Sequence, residues 1–150
     1  MSDLHALYQE MILDHSKHPH NLRAMADATS TARGYNPLCG DKVTLFLKLQ
    51  DGRISDVSFQ GSGCAISTAS ASIMTETLKG KTLSEAKAIF KKVHGLVTGE
   101  SRGVELGPGL GKLEVFSGVC QYPARVKCAT LAWHTLAAAL NSADAVVSTE

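Results

Sequence analysis

The chain has 150 residues, a formal net charge of +1, 19% charged and 44% hydrophobic residues, and four cysteines. That length accommodates one domain, with a core able to hold without disulfide staples. Near-neutral charge gives no electrostatic footprint for nucleic acid or an anionic membrane, and no apolar run of roughly 18 residues marks a membrane span.

The start, Met1-Ser2-Asp3-Leu4-His5, lacks the pattern of an export signal, so the expected compartment is the reducing cytoplasm. Residues 3–18 predict an amphipathic helix, because Leu4, Leu7, Tyr8, Met11, Ile12 and His15 recur on one face of a 3.6-residue period. Ser2 or Asp3 can cap it and Pro19 stops it. Residues 20–41 read mostly as loop, with room for a short strand before Asn36. Val43, Leu45, Leu47 and Leu49 then alternate with Lys42, Thr44 and Lys48, as a half-buried strand requires. Gln50-Asp51-Gly52 supplies a tight turn, and residues 53–60, led by Ile54, Val57 and Phe59, make the return strand of a hairpin.

Gly61-Ser62-Gly63 leads into Cys64 and a helix over 65–79, rich in small residues and ended by Gly80. Thr82 and Glu85 form a capping-box pair for a helix over 83–94. The stretch 95–112, carrying Gly95, Gly99, Gly103, Gly107, Gly109 and Gly111, reads as a long connection. Pro123 occupies the first position of a helix over 123–140. Helix, hairpin, then helices predicts one domain over 1–150 with an α+β fold, its helices packed on one face of a small antiparallel sheet.

Two glycine loops fail the phosphate-binding tests. Gly107-Pro108-Gly109-Leu110-Gly111-Lys112 has Leu106 and Leu113 where a P-loop needs Gly and Ser or Thr. Gly61-Ser62-Gly63 has Ile66 where a dinucleotide fingerprint needs its third glycine, and it follows a hairpin rather than opening a βαβ unit.

The cysteines are Cys39, Cys64, Cys120 and Cys128, with no C-x-x-C among them. By spacing alone each is most simply a small buried hydrophobe. Context moves three away from that reading. In an extended segment Cys39 and Asp41 project to one side, so a thiolate and a carboxylate can chelate one ion. Cys64 sits at or near a helix start, where unpaired N–H groups favour a thiolate. Cys128 follows Arg125 by one helical turn, with Lys127 adjacent, and cationic neighbours favour the thiolate too. Cys120 has no comparable context. His15, His18 and His20 cluster around a helix end, and His5 and His134 sit on helices; such residues are more often surface or capping groups than ligands.

Three segments carry a resemblance: Asn36-Pro37-Leu38-Cys39-Gly40-Asp41, Gly61-Ser62-Gly63-Cys64-Ala65-Ile66-Ser67 and Pro123-Ala124-Arg125-Val126-Lys127-Cys128-Ala129-Thr130-Leu131. They look like the three signature blocks of the IscU/NifU-type iron–sulfur assembly family, and the helix from Leu7-Tyr8 to Asp14-His15 resembles that family's first helix. Within the family the chain looks closest to the SufU branch. Lys127 stands where the IscU branch has histidine, Arg125 matches the SufU arginine three residues before the last cysteine, and the stretch around 95–112 fits the SufU insertion.

The resemblance implies a three-stranded antiparallel sheet with helices packed on it. It also implies a metal site of Cys39, Asp41, Cys64 and Cys128 that holds Zn²⁺ or, in IscU-like relatives, a [2Fe–2S] cluster. The implied activity is acceptance of sulfur, at Cys128 with Arg125 beside it, from a pyridoxal-phosphate cysteine desulfurase of SufS type. Delivery would go to a downstream iron–sulfur scaffold or apo-protein. A thiol hydrolase finds no nucleophile signature in the sequence, and a purely structural zinc domain would not stimulate a desulfurase.

Overall fold

Alternation makes the centre of the sheet. In the computed structural model, which describes residues 2–37, 40–98, 116, 123–141 and 145–148, strand β2 (Asp41–Gln50) turns through Asp51 and Gly52 into β3 (Arg53–Ser62). Both turn residues take positive φ, 53° and 75°, the combination whose twist matches a two-residue hairpin. Val43, Leu45 and Leu47 of β2 are buried, and so are Ile54, Val57 and Phe59 of β3. Ile54 and Val57 are three apart and would face opposite sides of a regular strand. A bulge resolves this: Leu49 pairs with Ile54 and Lys48 with Asp56, leaving Ser55 as the extra residue.

Strand β1 (Ser30–Asn36) lies antiparallel beside β2, in the place where a short strand had room. Its buried side is Ser30, Ala32, Gly34 and Asn36. A Cβ on Gly34 would collide with Thr135 and Leu131, so glycine lets the last helix approach the sheet closely. The three antiparallel strands are extended by β4 (Ala145–Ser148), which the sequence pattern did not predict and which pairs in parallel with β1, giving the order β3-β2-β1-β4.

Among the described residues there are four helices: α1 (Ser2–Lys17), α2 (Ala65–Leu78), α3 (Leu83–Thr98) and α4 (Pro123–Asn141). Helix α2 is buried on several sides, which explains its small residues. Ser70 Oγ donates to the carbonyl of Ala129 at 2.6 Å and accepts from Trp133 Nε1 at 3.2 Å, so buried hydroxyls tie α2 to α4. The capping box forms as expected: Thr82 N donates to Glu85 Oε1 at 3.0 Å and Glu85 N to Thr82 Oγ1 at 3.1 Å. The bond from the Thr82 N–H, and after it the Thr82 side chain, hold the Glu85 carboxyl below its ordinary value.

Helix α3 runs four residues past the expected end at 94, because Val93, Leu96 and Val97 continue its buried face. That burial outweighs a helical Gly95, whose cost is about 1 kcal/mol. The expected connection over 95–112 therefore begins as helix, and its remainder, with the insertion expected around 95–112, lies outside the described residues. No helix among the described residues is long and apolar enough to cross a membrane.

Phe90 and His94 of α3 meet His134 of α4 as a ring cluster, with centroids 5.6 Å apart for Phe90–His134 and 5.9 Å for His94–His134. Burial, and secondarily the neighbouring His94, push the His134 imidazole below its ordinary value of 6.5. The unfolded chain therefore binds a proton there more readily than the folded one. The contribution of His134 to stability is full above pH 6.5 and is lost as pH drops through the depressed folded value. Calorimetric melting temperatures are expected to decline through that window, and His134→Phe is expected to flatten the decline. An unchanged slope in the variant would refute this.

Candidate metal centre

Three elements deliver three ligand groups to one point. Asp41 opens β2 and is 1% exposed; Cys64 caps α2; Cys128 lies on the second turn of α4 and is 0% exposed. One carboxylate oxygen and the two sulfurs all lie within 4.8 Å of one another. Neither Cys64 nor Cys128 is in a disulfide. The sequence placed Cys64 at a helix start, and the structure makes it the N-cap: its Sγ accepts from Ser67 N at 3.4 Å. A sulfur in that position meets the positive end of the helix.

The buried Asp41 carboxylate needs donors, and its neighbours supply them. Oδ1 accepts the Cys64 N–H at 2.8 Å, while Oδ2 accepts Asn36 Nδ2 at 3.1 Å and faces Cys64 Sγ at 3.9 Å. Asn36, 1% exposed, also directs Nδ2 at Cys128 Sγ, 3.5 Å away. One buried amide thus orients both the carboxylate and a thiol. Sequence reasoning did not assign Asn36 a role; its position in the Asn36-Pro37-Leu38-Cys39 block was the available signal. Gly63 is the other omission. A Cβ there would run into the Asp41 carboxyl group, so a bare backbone is what lets Asp41 lie under the start of α2.

The expected set is thus brought together at Asp41, Cys64 and Cys128, while Cys39 lies outside the described residues, as does Cys120. Arg125 is exposed one turn before Cys128, and Lys127 is exposed beside it. His15 and His20 gather elsewhere, against Glu76. Two sulfurs and a carboxylate oxygen suit zinc or an iron–sulfur cluster, and their shell of hydrogen bonds is of the kind that orients metal ligands.

Comparison with known proteins places the chain in a family. Residues 7–129 match the family model described as the NifU-like N terminal domain. The iron–sulfur cluster assembly scaffold protein IscU of Streptococcus pyogenes is 39% identical over 93% of this chain and 86% of that protein. The zinc-dependent sulfurtransferase SufU of Bacillus subtilis is 38% identical over 90% of each. The crystal structure of an iron–sulfur cluster assembly scaffold protein for the SUF system from Fervidobacterium islandicum superposes with a TM-score of 0.82. It is 39% identical, covering 91% of this chain and 98% of that one. With its fold, its converging cysteines and this similarity over nearly its whole length, the chain belongs to the NifU-like N-terminal domain family.

Proposed function

We propose that this chain is an iron–sulfur cluster assembly protein of the IscU/SufU type whose specific task is to accept persulfide sulfur from a SufS-like cysteine desulfurase. The observation that supports it best is the convergence of Asp41, Cys64 and Cys128 within 4.8 Å. Arg125 and Lys127, in place of a histidine before the last cysteine, favour the SufU reading.

In this reading Asp41, Cys64, Cys128 and Cys39 hold zinc, which when bound keeps the thiols as thiolates ready for exchange. The Cys128 thiolate attacks the terminal sulfur of the desulfurase persulfide. A new sulfur–sulfur bond forms at Cys128, the bond inside the donor persulfide breaks, and the desulfurase cysteine departs as a thiolate. No net oxidation occurs, because sulfane sulfur moves between two thiolates. Asn36 holds Cys128 until the partner arrives, and Arg125 offsets part of the negative charge of the cluster of ligands. The sulfur then passes to a downstream scaffold or apo-protein.

The competing reading is an IscU-like scaffold that assembles a [2Fe–2S] cluster on the same residues; the 39% identity to an IscU protein favours it. Alanine release by the cognate pyridoxal-phosphate desulfurase separates the two. Stimulation by zinc-loaded protein but not by apo-protein is expected. Failure to stimulate, with formation of a stable cluster when iron and sulfide are supplied, would replace sulfur acceptance with the scaffold reading.

A further inference from the structure

A second group of ligands lies at the other end of α2. We propose that His15, His20 and Glu76 form a second site, for a divalent first-row transition-metal ion such as Zn²⁺, separate from the cysteine centre. Glu76 is twelve residues beyond Cys64, about 18 Å along the helix, so the two sites share no ligand. His15 comes from the last turn of α1, His20 from the loop after it, and Glu76 from the last turn of α2. Their ligand atoms all lie within 4.8 Å of one another.

The distances are close to what an ion requires. Ligands bound tetrahedrally to zinc at 2.0–2.1 Å stand about 3.3 Å apart. Here His20 Nδ1 lies 3.4 Å and His15 Nε2 4.0 Å from the same oxygen, Glu76 Oε2. The ring centroids of the two histidines are 4.5 Å apart. Bringing His15 Nε2 and Glu76 Oε2 to that spacing takes about 0.7 Å, and the exposed side chains of Glu76 and His20 are the groups that adjust.

The outer hydrogen bonds are also those of a ligand site. His15 is 2% exposed, and its Nδ1 is bonded at 2.7 Å to Ser72 Oγ. That contact fixes the ring and aims Nε2 at Glu76, the arrangement by which metal-bound histidines are oriented. The same Ser72 Oγ accepts the backbone N–H of His20 at 2.8 Å. Asn21 Nδ2 then donates to Thr75 Oγ1 at 3.1 Å, pinning the loop so that His20 stays over α2. Two imidazole nitrogens and one carboxylate oxygen suit zinc, cobalt or nickel and leave coordination positions open. An ion there joins α1, the following loop and α2.

Cobalt is the probe, because thiolate ligation gives intense near-ultraviolet absorption that nitrogen and oxygen ligands do not. Metal-stripped full chain is titrated with Co²⁺. The expected result is one equivalent with thiolate absorption and a second equivalent without it. His20→Ala and Glu76→Gln, both exposed positions, are each expected to lose the second equivalent and keep the thiolate band. The imidazole NMR signals of His15 and His20 are expected to move with the second equivalent of Zn²⁺.

The proposal is overturned if only a thiolate-bearing equivalent is taken up, if both variants still bind as the parent does, or if the histidine signals stay still. If the cysteine centre were the one that failed, the result would be a single equivalent lacking thiolate absorption and abolished by either variant.

Discussion

Cys128→Ser is expected to reduce persulfide transfer from the desulfurase to background, read as loss of the +32 Da adduct by intact-mass spectrometry. The serine is nearly isosteric, but its hydroxyl does not ionise at neutral pH, so the nucleophile is removed. The fold is expected to survive, since the Asn36 amide that contacts the sulfur at 3.5 Å can donate to the serine oxygen instead. Access is the physical difficulty. Cys128 is fully buried, whereas Cys64 is partly exposed. A desulfurase must therefore open the site to reach Cys128, and the start of α4 is the element that carries it. If exposure alone decided the acceptor, the adduct would form on Cys64. A Cys128→Ser protein that still gains the adduct at the normal rate would establish that outcome and end the assignment to Cys128.

Legibility in the sequence tracked how local each signal was. The β2–β3 hairpin was readable because Val43, Leu45 and Leu47 alternate with polar residues and Asp51-Gly52 fits one turn type. The capping box of α3 was readable because Thr82 and Glu85 satisfy each other within one turn. Strand β1 was faint, since its inward residues are Ser30, Ala32, Gly34 and Asn36, small or polar groups chosen by the closeness of α4 rather than by hydrophobicity. Strand β4 was invisible, because four residues pairing in parallel with a strand more than a hundred positions earlier leave no local pattern.

The same logic divides the site. Cys64 advertised itself through its glycine turn, and Asp41 through its spacing from Cys39. Asn36 did not, because its importance is that one amide reaches two ligands distant in sequence, Asp41 and Cys128. The histidines near the end of α1 read as ordinary surface groups for a related reason. Glu76, the residue they gather against, is on another helix.

Gly63→Ala is expected to lower the affinity of the cysteine centre for zinc by about 10–100-fold, the range found when the groups supporting metal ligands are disturbed. The backbone at Gly63 is not in the left-handed region, so alanine meets no conformational penalty there and the effect is purely one of space. The added methyl would lie against Asp41, whose Cγ and Cβ are 3.0 and 3.1 Å from that position. Asp41 cannot yield cheaply. Its Oδ1 accepts the Cys64 N–H at 2.8 Å and its Oδ2 the Asn36 amide at 3.1 Å.

Either the carboxylate rotates away and loses both bonds, or the start of α2 moves and takes Cys64 with it. Both outcomes separate ligands that now converge. Gly63 is itself exposed, so no apolar core contact is lost; the buried carboxylate deprived of its donors costs about 1–3 kcal/mol, and the melting temperature of the metal-free protein should fall by less than about 12 °C while the fold is kept. Competition against a chromophoric chelator measures the affinity, and a thermal scan of the same apo-protein measures the fold. Unchanged zinc affinity would mean that Asp41 is not a ligand. A loss of affinity matched by a collapse in apo stability would mean that Gly63 serves the fold rather than the site.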